Sequence, residues 1–252
     1  MNRDAVIPAH ATPSPARRVR RRWAWWTLGI LTCVVLSCGI AVSLGLRTPK
    51  WYRVPHIDES QRQQVRNNLL SAEQAMTEFL RAGQTFVYQL HQDDLNRWLT
   101  MRREIYPLAD EFTPPEWSDP FVRFDTGRIT VAGRFRHESW SAVASIDLNV
   151  EFKDGDIVLT AGTVRSGMLP IPVGLFGLPL DQPIDRRAEK TWPGSPPIRG
   201  DLANGVRVGA RAWWKNGGLE YEVTNVWVTP GVLKFEIQPL GSHFGQAERD
   251  QD

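Results

Sequence analysis

Five histidines, His10, His56, His91, His137 and His243, are scattered along the 252-residue chain. None stands three or four residues from another, the spacing that would set two imidazoles on one helix face against a zinc ion. The only cysteines, Cys33 and Cys38, sit inside an uncharged apolar run, so the remainder offers no thiolate ligand, no thiol nucleophile and no disulfide. No metal and no cofactor is expected. Ser166 precedes Gly167 and Ser37 stands two residues before Gly39, but no G-x-S-x-G elbow occurs, nor a Walker or Rossmann glycine motif. Carboxylate pairs remain: Asp93 with Asp94, Asp154 with Asp156, and Glu220 with Glu222. Two carboxylates are the equipment of glycoside hydrolysis. Each pair has a plainer reading, as a helix opening, a turn around Gly155 and a solvated strand face respectively. No residue is selected as catalytic, and the chain is not expected to be an enzyme.

The elements that would position such groups begin with residues 23–46, WAWWTLGILTCVVLSCGIAVSLGL, which hold no charge. As a helix this stretch spans roughly 36 Å at ~1.5 Å per residue, enough to cross ~30 Å of hydrocarbon. Arg17, Arg18, Arg20, Arg21 and Arg22 precede it directly, while Arg47, Lys50 and Arg53 follow. That asymmetry places the N-terminus in the cytoplasm and the C-terminal domain outside. Trp23, Trp25 and Trp26 at one end, and Trp51 and Tyr52 at the other, suit interfacial belts. Two alternatives stay open: a cleaved signal peptide, and a lipoprotein signal in which Val35-Leu36-Ser37-Cys38 serves as a lipobox. Both also export the domain.

The expected order is a basic cytoplasmic tail at 1–22, an anchor at 23–46, a polar stalk at 47–57, an α+β domain at 58–240 and a flexible tail at 241–252. Residues 1–22 carry six arginines and one aspartate, leaving 24 basic against 27 acidic residues beyond them, a net −3. A near-neutral domain lacks the footprint of a nucleic-acid binder. The bilayer itself is the expected partner of the anchor.

Within the domain, Asp58 or Ser60 caps a helix that runs to Ala82 and is closed by Gly83. Val65, Leu69, Ala72, Met76 and Phe79 form its apolar stripe. A short strand over 85–90 and a helix from Asp93 or Gln92 to about Glu104 follow, then a loop over 106–120. From Phe121 the period becomes two. Phe121 to Asp125 and Arg128 to Phe135 make a hairpin. Ala142, Ala144, Ile146, Leu148, Val150 and Phe152 line one face of a long strand, with Ser145, Asp147, Asn149, Glu151 and Lys153 on the other. Asp154-Gly155 turns into 157–164, and strands return over 206–214, 219–227 and 232–237.

Residues 168–180, MLPIPVGLFGLPL, break the pattern, since three prolines and two glycines exclude a regular element. Leu169, Ile171, Val173, Leu175, Phe176 and Leu178 exposed together would make an apolar patch that monomers avoid. They are the candidate ligand-binding residues, as the rim of an apolar groove or as a plug over the core.

Asp93-Asp94-Leu95-Asn96, then D-x-G-R-I-x-V-x-G from Asp125 to Gly133, then G-x-L-P-x-P from Gly167 to Pro172, behind an anchoring helix, resemble a group of N-terminally anchored bacterial envelope proteins. That group is related to tubular lipid-binding modules of the bactericidal/permeability-increasing type. The resemblance implies a long helix packed on a curved antiparallel sheet with an apolar groove. The function expected is a membrane-anchored extracytoplasmic binding module for a lipid or other apolar envelope ligand. The alternatives are a structural subunit that meets an envelope protein partner, and a hydrolase of envelope polymers.

Overall fold

The computed structural model describes residues 16–105, 117–137, 140–171, 198–201 and 204–242. The chain is α+β, with an apolar N-terminal helix and a domain of antiparallel strands. It divides into two compact units, 1–43 and 44–252.

Helix α1 (Ala16–Leu46) holds the described residues of the first unit. Leu28, Ile30, Leu31, Val34, Val35, Leu36, Ile40 and Val42 are exposed along it, as are Cys33 and Cys38. Its 19 residues Leu28–Leu46 are long and apolar enough to cross a membrane. This is compatible with a single-pass anchor.

The second unit contains helix α2 (Glu59–Ala82), bounded as its caps require. Asp58 is extended at the N-cap, and its N–H donates to Gln61 Oε1 at 3.4 Å. Gly83 ends the helix at φ 71°, a left-handed conformation that favours glycine, and its N–H donates to Leu80 O. The buried face is Val65, Met76 and Leu80. Phe79, expected on the stripe, is instead exposed and stacked on Phe86 with ring centroids 5.0 Å apart. Both 79 and 80 follow Met76 at helical spacing, and it is Leu80 that meets Ile237.

Strand β1 (Phe86–His91) and helices α3 (Gln92–Thr100) and α4 (Arg102–Ile105) come next. The long strands are β2 (Trp117–Asp125), β3 (Arg128–His137), β4 (Trp140–Lys153) and β5 (Asp156–Ser166). The β4–β5 turn has Asp154 at φ 57° and Gly155 at φ 77°, the pair of positive values a two-residue hairpin turn needs. Shorter strands follow: β6 (Leu169–Ile171), β7 (Ile198–Asp201), β8 (Gly205–Gly209) and β9 (Arg211–Trp214). The chain then runs through β10 (Leu219–Thr229) and β11 (Val232–Ser242).

These strands form two sheets, one ordered β1-β11-β10-β9 and one ordered β2-β3-β4-β5-β8-β7, with β6 paired to β5. The single strand expected over 206–214 breaks at Ala210. Before it, Val208 pairs with Ile157 in the larger sheet; after it, Ala212 pairs with Tyr221 in the smaller one. Ala210 is buried at this corner, where a strand changes sheets. The main core lies between the sheets, with Phe124, Val223, Val226, Val228 and Leu233 at its centre.

Two further expectations are corrected by packing. The segment 47–57, read as a stalk, lies on the larger sheet: Tyr52 is 6% exposed and clusters with Phe121, Ala132 and Val143. Tyr52 is thus a core residue rather than a member of an interfacial belt. On β4 the expected alternation holds at Asn149, Glu151 and Lys153, which are exposed, but is reversed in the middle of the strand. Asp147 and Ser145 are buried while Ile146 and Leu148 are half-buried. The cause is a polar network closing over Asp147. Thr130 Oγ1 donates to Oδ1 at 2.8 Å, Arg165 donates to Oδ2 at 2.7 Å, and Arg128 lies 3.6 Å away.

Candidate functional site

An apolar hollow of about 250 Å³, partly open to solvent, lies in the second unit. Each wall follows from a pattern described above. The buried face of α2 contributes Met76, the inward period of β1 contributes Tyr88, and β5 and β8 contribute Ile157 and Val208. The smaller sheet adds Trp214, Tyr221, Val223, Phe235 and Ile237. Small residues at the sheet corner, Gly209, Ala210 and Ala212, leave the space open, since no larger side chain projects from that stretch.

The chemistry of the cavity is that of a desolvated aromatic and aliphatic pocket. Burial raises the Tyr221 phenol above its ordinary value. Burial does the same to Tyr88, with the charges of Glu73 and Asp94 adding to the rise. Both phenols therefore stay protonated at neutral pH. Trp214 is fixed by a 2.9 Å hydrogen bond from its Nε1 to Thr77 Oγ1.

Beside it, on the outer flank of α2, runs a groove of about 400 Å³ edged by Leu70, Glu73, Gln74, Thr77, Glu78, Arg81 and Asn216.

Of the ligand-binding residues expected from the sequence, Leu169 and Ile171 form β6, opposite Ser166 and Val164. They are half-buried. Ile171 ends a lateral row of directly paired residues, Val122, Val131, Ile146, Val164 and Ile171, running across five strands on one face. Val173, Leu175, Phe176 and Leu178 lie outside the described residues. Leu169 and Ile171 do not line the cavity around Met76 and Trp214. Reading the sequence missed that cavity. Its strand residues were legible as inward-facing positions, but no local signal says that faces drawn from α2 and six strands stop short of one another.

The turn before β6 is held by residues 44–47. Met168 N–H donates to Leu44 O at 3.0 Å, and Ser166 Oγ donates to Gly45 O at 3.0 Å. Gly167, at φ 56°, sits among the carbonyl oxygens of Leu44, Gly45 and Arg47, where a Cβ would come within 2.5–2.6 Å of all three.

The carboxylate pairs are placed as structural groups. Asp93 and Asp94 lie in the first turn of α3, where negative charge meets the helix N-terminus. Asp154 and Asp156 lie 3.8 and 3.6 Å from Arg207, and Glu222 lies 3.6 Å from Arg211. Among the described residues, no three His, Cys, Asp or Glu side chains are grouped to hold a metal ion.

The edge of the larger sheet is finished by side chains. Asn96, only 1% exposed, donates from Nδ2 to Val122 O at 2.8 Å and accepts from Val122 N–H at Oδ1 at 2.7 Å. Gln92, one turn earlier on α3, accepts from Phe124 N–H at 2.8 Å.

Against known proteins, no family model, no curated sequence and no solved structure matches this chain.

Proposed function

We propose that this chain is a single-pass, membrane-anchored binding module. Its N-terminus lies in the cytoplasm, and its domain holds a lipid or another apolar envelope molecule outside. The cavity beneath α2 carries the reading. Protein interiors are close-packed. An apolar hollow of about 250 Å³ that opens to solvent leaves its lining wet, a loss of roughly 25 cal/mol for each Å² of apolar surface left uncovered. An apolar ligand recovers that loss. In this reading α2 is the long helix lying on a curved antiparallel sheet, as in the tubular lipid-binding modules that the motifs resemble. Leu169 and Ile171 lie on a separate apolar row, outside this hollow.

The test is mass spectrometry of molecules that co-purify with the full chain in mild detergent, beside an Ala212→Leu variant that fills the cavity. Wild type is expected to retain an apolar molecule that the variant loses at unchanged melting temperature. Retention of the same molecule by both would sink the cavity as its seat. For orientation, alkaline phosphatase fused after Gly241 is expected to be active; an expressed but inactive fusion would reverse the topology.

A second reading, an interaction subunit, is favoured by the apolar side chains of Leu70, Phe79 and Val87, which are 56%, 49% and 48% exposed. An empty cavity together with a protein that co-purifies only when Phe79 is intact would support it.

A further inference from the structure

The larger sheet has two unlike ends. At one, Phe124, Ile129, Val150, Phe152 and Ile157 flank its turns and pack on the core between the sheets. At the other, β5 turns into β6 through Gly167 and Met168. This turn is level with Val143, whose carbonyl accepts from Gly167 N–H at 2.7 Å. It also holds Leu44 and Gly45, in the last turn of the apolar span, by the hydrogen bonds from Met168 and Ser166. Leu44–Leu46 belong to the same compact unit as the sheet. A helix that crosses hydrocarbon ends at the hydrocarbon surface. This end of the sheet therefore lies at the bilayer interface if α1 is an anchor. Arg47 and Lys50, exposed directly after the span, suit headgroup depth.

Strands β3 and β4 continue past that level. From Val143 back to Trp140, β4 advances by roughly 10 Å at a strand's rise, paired with β3 as far as His137. The overhang carries aromatic rings. Trp117 lies over Gly133, where a Cβ would come within 2.8 Å of the indole. Phe135 sits 6.1 Å from Trp117 and 5.6 Å from Trp140, and His137 stacks on Trp140 at 5.9 Å. None of these rings joins the core between the sheets. Trp140 is 45% exposed, and Met168 on the neighbouring turn is 52% exposed. An indole held in water at a hairpin tip gains no transfer energy. At a bilayer interface its ring meets acyl chains while its N–H meets headgroups. Arg136, with its side chain 66% exposed, can divide its stem and guanidinium in the same way.

Resting on the reading that α1 is a bilayer anchor, we propose that the β3–β4 tip is a second membrane contact. It inserts Trp140, with Met168 beside it, into the interface of the leaflet that the domain faces. The occupant of this surface is lipid. Tyr52 is buried in the domain, so the aromatic belt on this side comes from a hairpin rather than from the flank of the helix. Two contacts instead of one fix the tilt of the domain on the membrane.

The experiment uses the full chain in phosphatidylglycerol nanodiscs, in a Cys33→Ser/Cys38→Ser background. A single spin label is carried at His137→Cys, at Lys153→Cys on the opposite end of β4, or at Leu36→Cys within the span. Accessibility to oxygen and to a polar nickel chelate is measured at each. The oxygen-to-nickel ratio at 137 is expected to exceed that at 153 severalfold, because the polar chelate is excluded from the apolar side of the interface. Trp140→Ser should bring the ratio at 137 down to that at 153 without moving the label at 153. A wild-type label at 137 as open to nickel as that at 153, with 36 still immersed, would overturn the second contact and leave the anchor standing. Low access of both reagents at 137 would mark a protein cover, a second copy or another chain, and would also overturn it. A nickel-accessible label at 36 would overturn the anchor reading itself.

Discussion

Asn96 does with a side chain what a neighbouring strand does with its backbone. Its amide offers Val122 one donor and one acceptor, and it is buried while doing so. Removing it leaves two backbone groups of β2 without partners, a loss that the desolvation of unpaired polar groups puts at ~2–4 kcal/mol. Asn96→Ala is expected to lower stability by that amount in chemical denaturation, and Asn96→Asp nearly as much, because a carboxylate cannot donate to Val122 O. A change in Asn96→Ala below about 0.5 kcal/mol would show that the edge pairs elsewhere. Tyr52 makes a second prediction. Its hydroxyl donates to Asp119 O, and burial, followed by the Asp119 charge, pushes its phenol up to about 12. A raised folded value means that the contribution of Tyr52 is fully present below the unfolded value of about 10. It is lost as pH climbs towards about 12. Stability should therefore fall across that window, and Tyr52→Phe should flatten the fall; a wild-type curve unchanged by the substitution would refute the assignment.

At the scale of elements, the turn between β5 and β6 depends on one glycine. Gly167 needs its positive φ, and it also needs the absence of a Cβ among three carbonyl oxygens. Gly167→Ala violates both conditions, and a cost of ~2 kcal/mol or more is expected. Residues 44–47 would then come away from the turn, so trypsin should cut at Arg47 far faster than in wild type. Equal cleavage rates would argue that this contact contributes little. Much of the element list was legible beforehand, because its signals are local. Gly83 ends α2 and Asp154-Gly155 turns β4 into β5, each through backbone angles that few other residues accept. What escaped was set by partners remote in sequence. The polar row of β4 reads as a solvated face until Arg128, Thr130 and Arg165 arrive from neighbouring strands to enclose Asp147. The break at Ala210 has the same character, since β5 on one side and β10 on the other decide it.

For the molecule as a whole, the readable part was its division: an uncharged apolar span, then a domain of alternating strands with amphipathic helices before them. The expected site was legible only in part. Leu169 and Ile171 do sit on an apolar face, yet the apolar hollow lies beneath α2, made by surfaces that a linear pattern cannot bring together. Two sheets have edges, and an unguarded edge recruits other strands. Here the guard on β2 comes from α3, through Gln92 and Asn96. Those residues precede Val122 and Phe124 by about thirty positions. A chain grows from its N-terminus, and domains fold in that order. The helix that covers the edge is therefore synthesised before the strand that presents it. The nascent protein carries its own protection against fibre formation, ready in time rather than recruited afterwards.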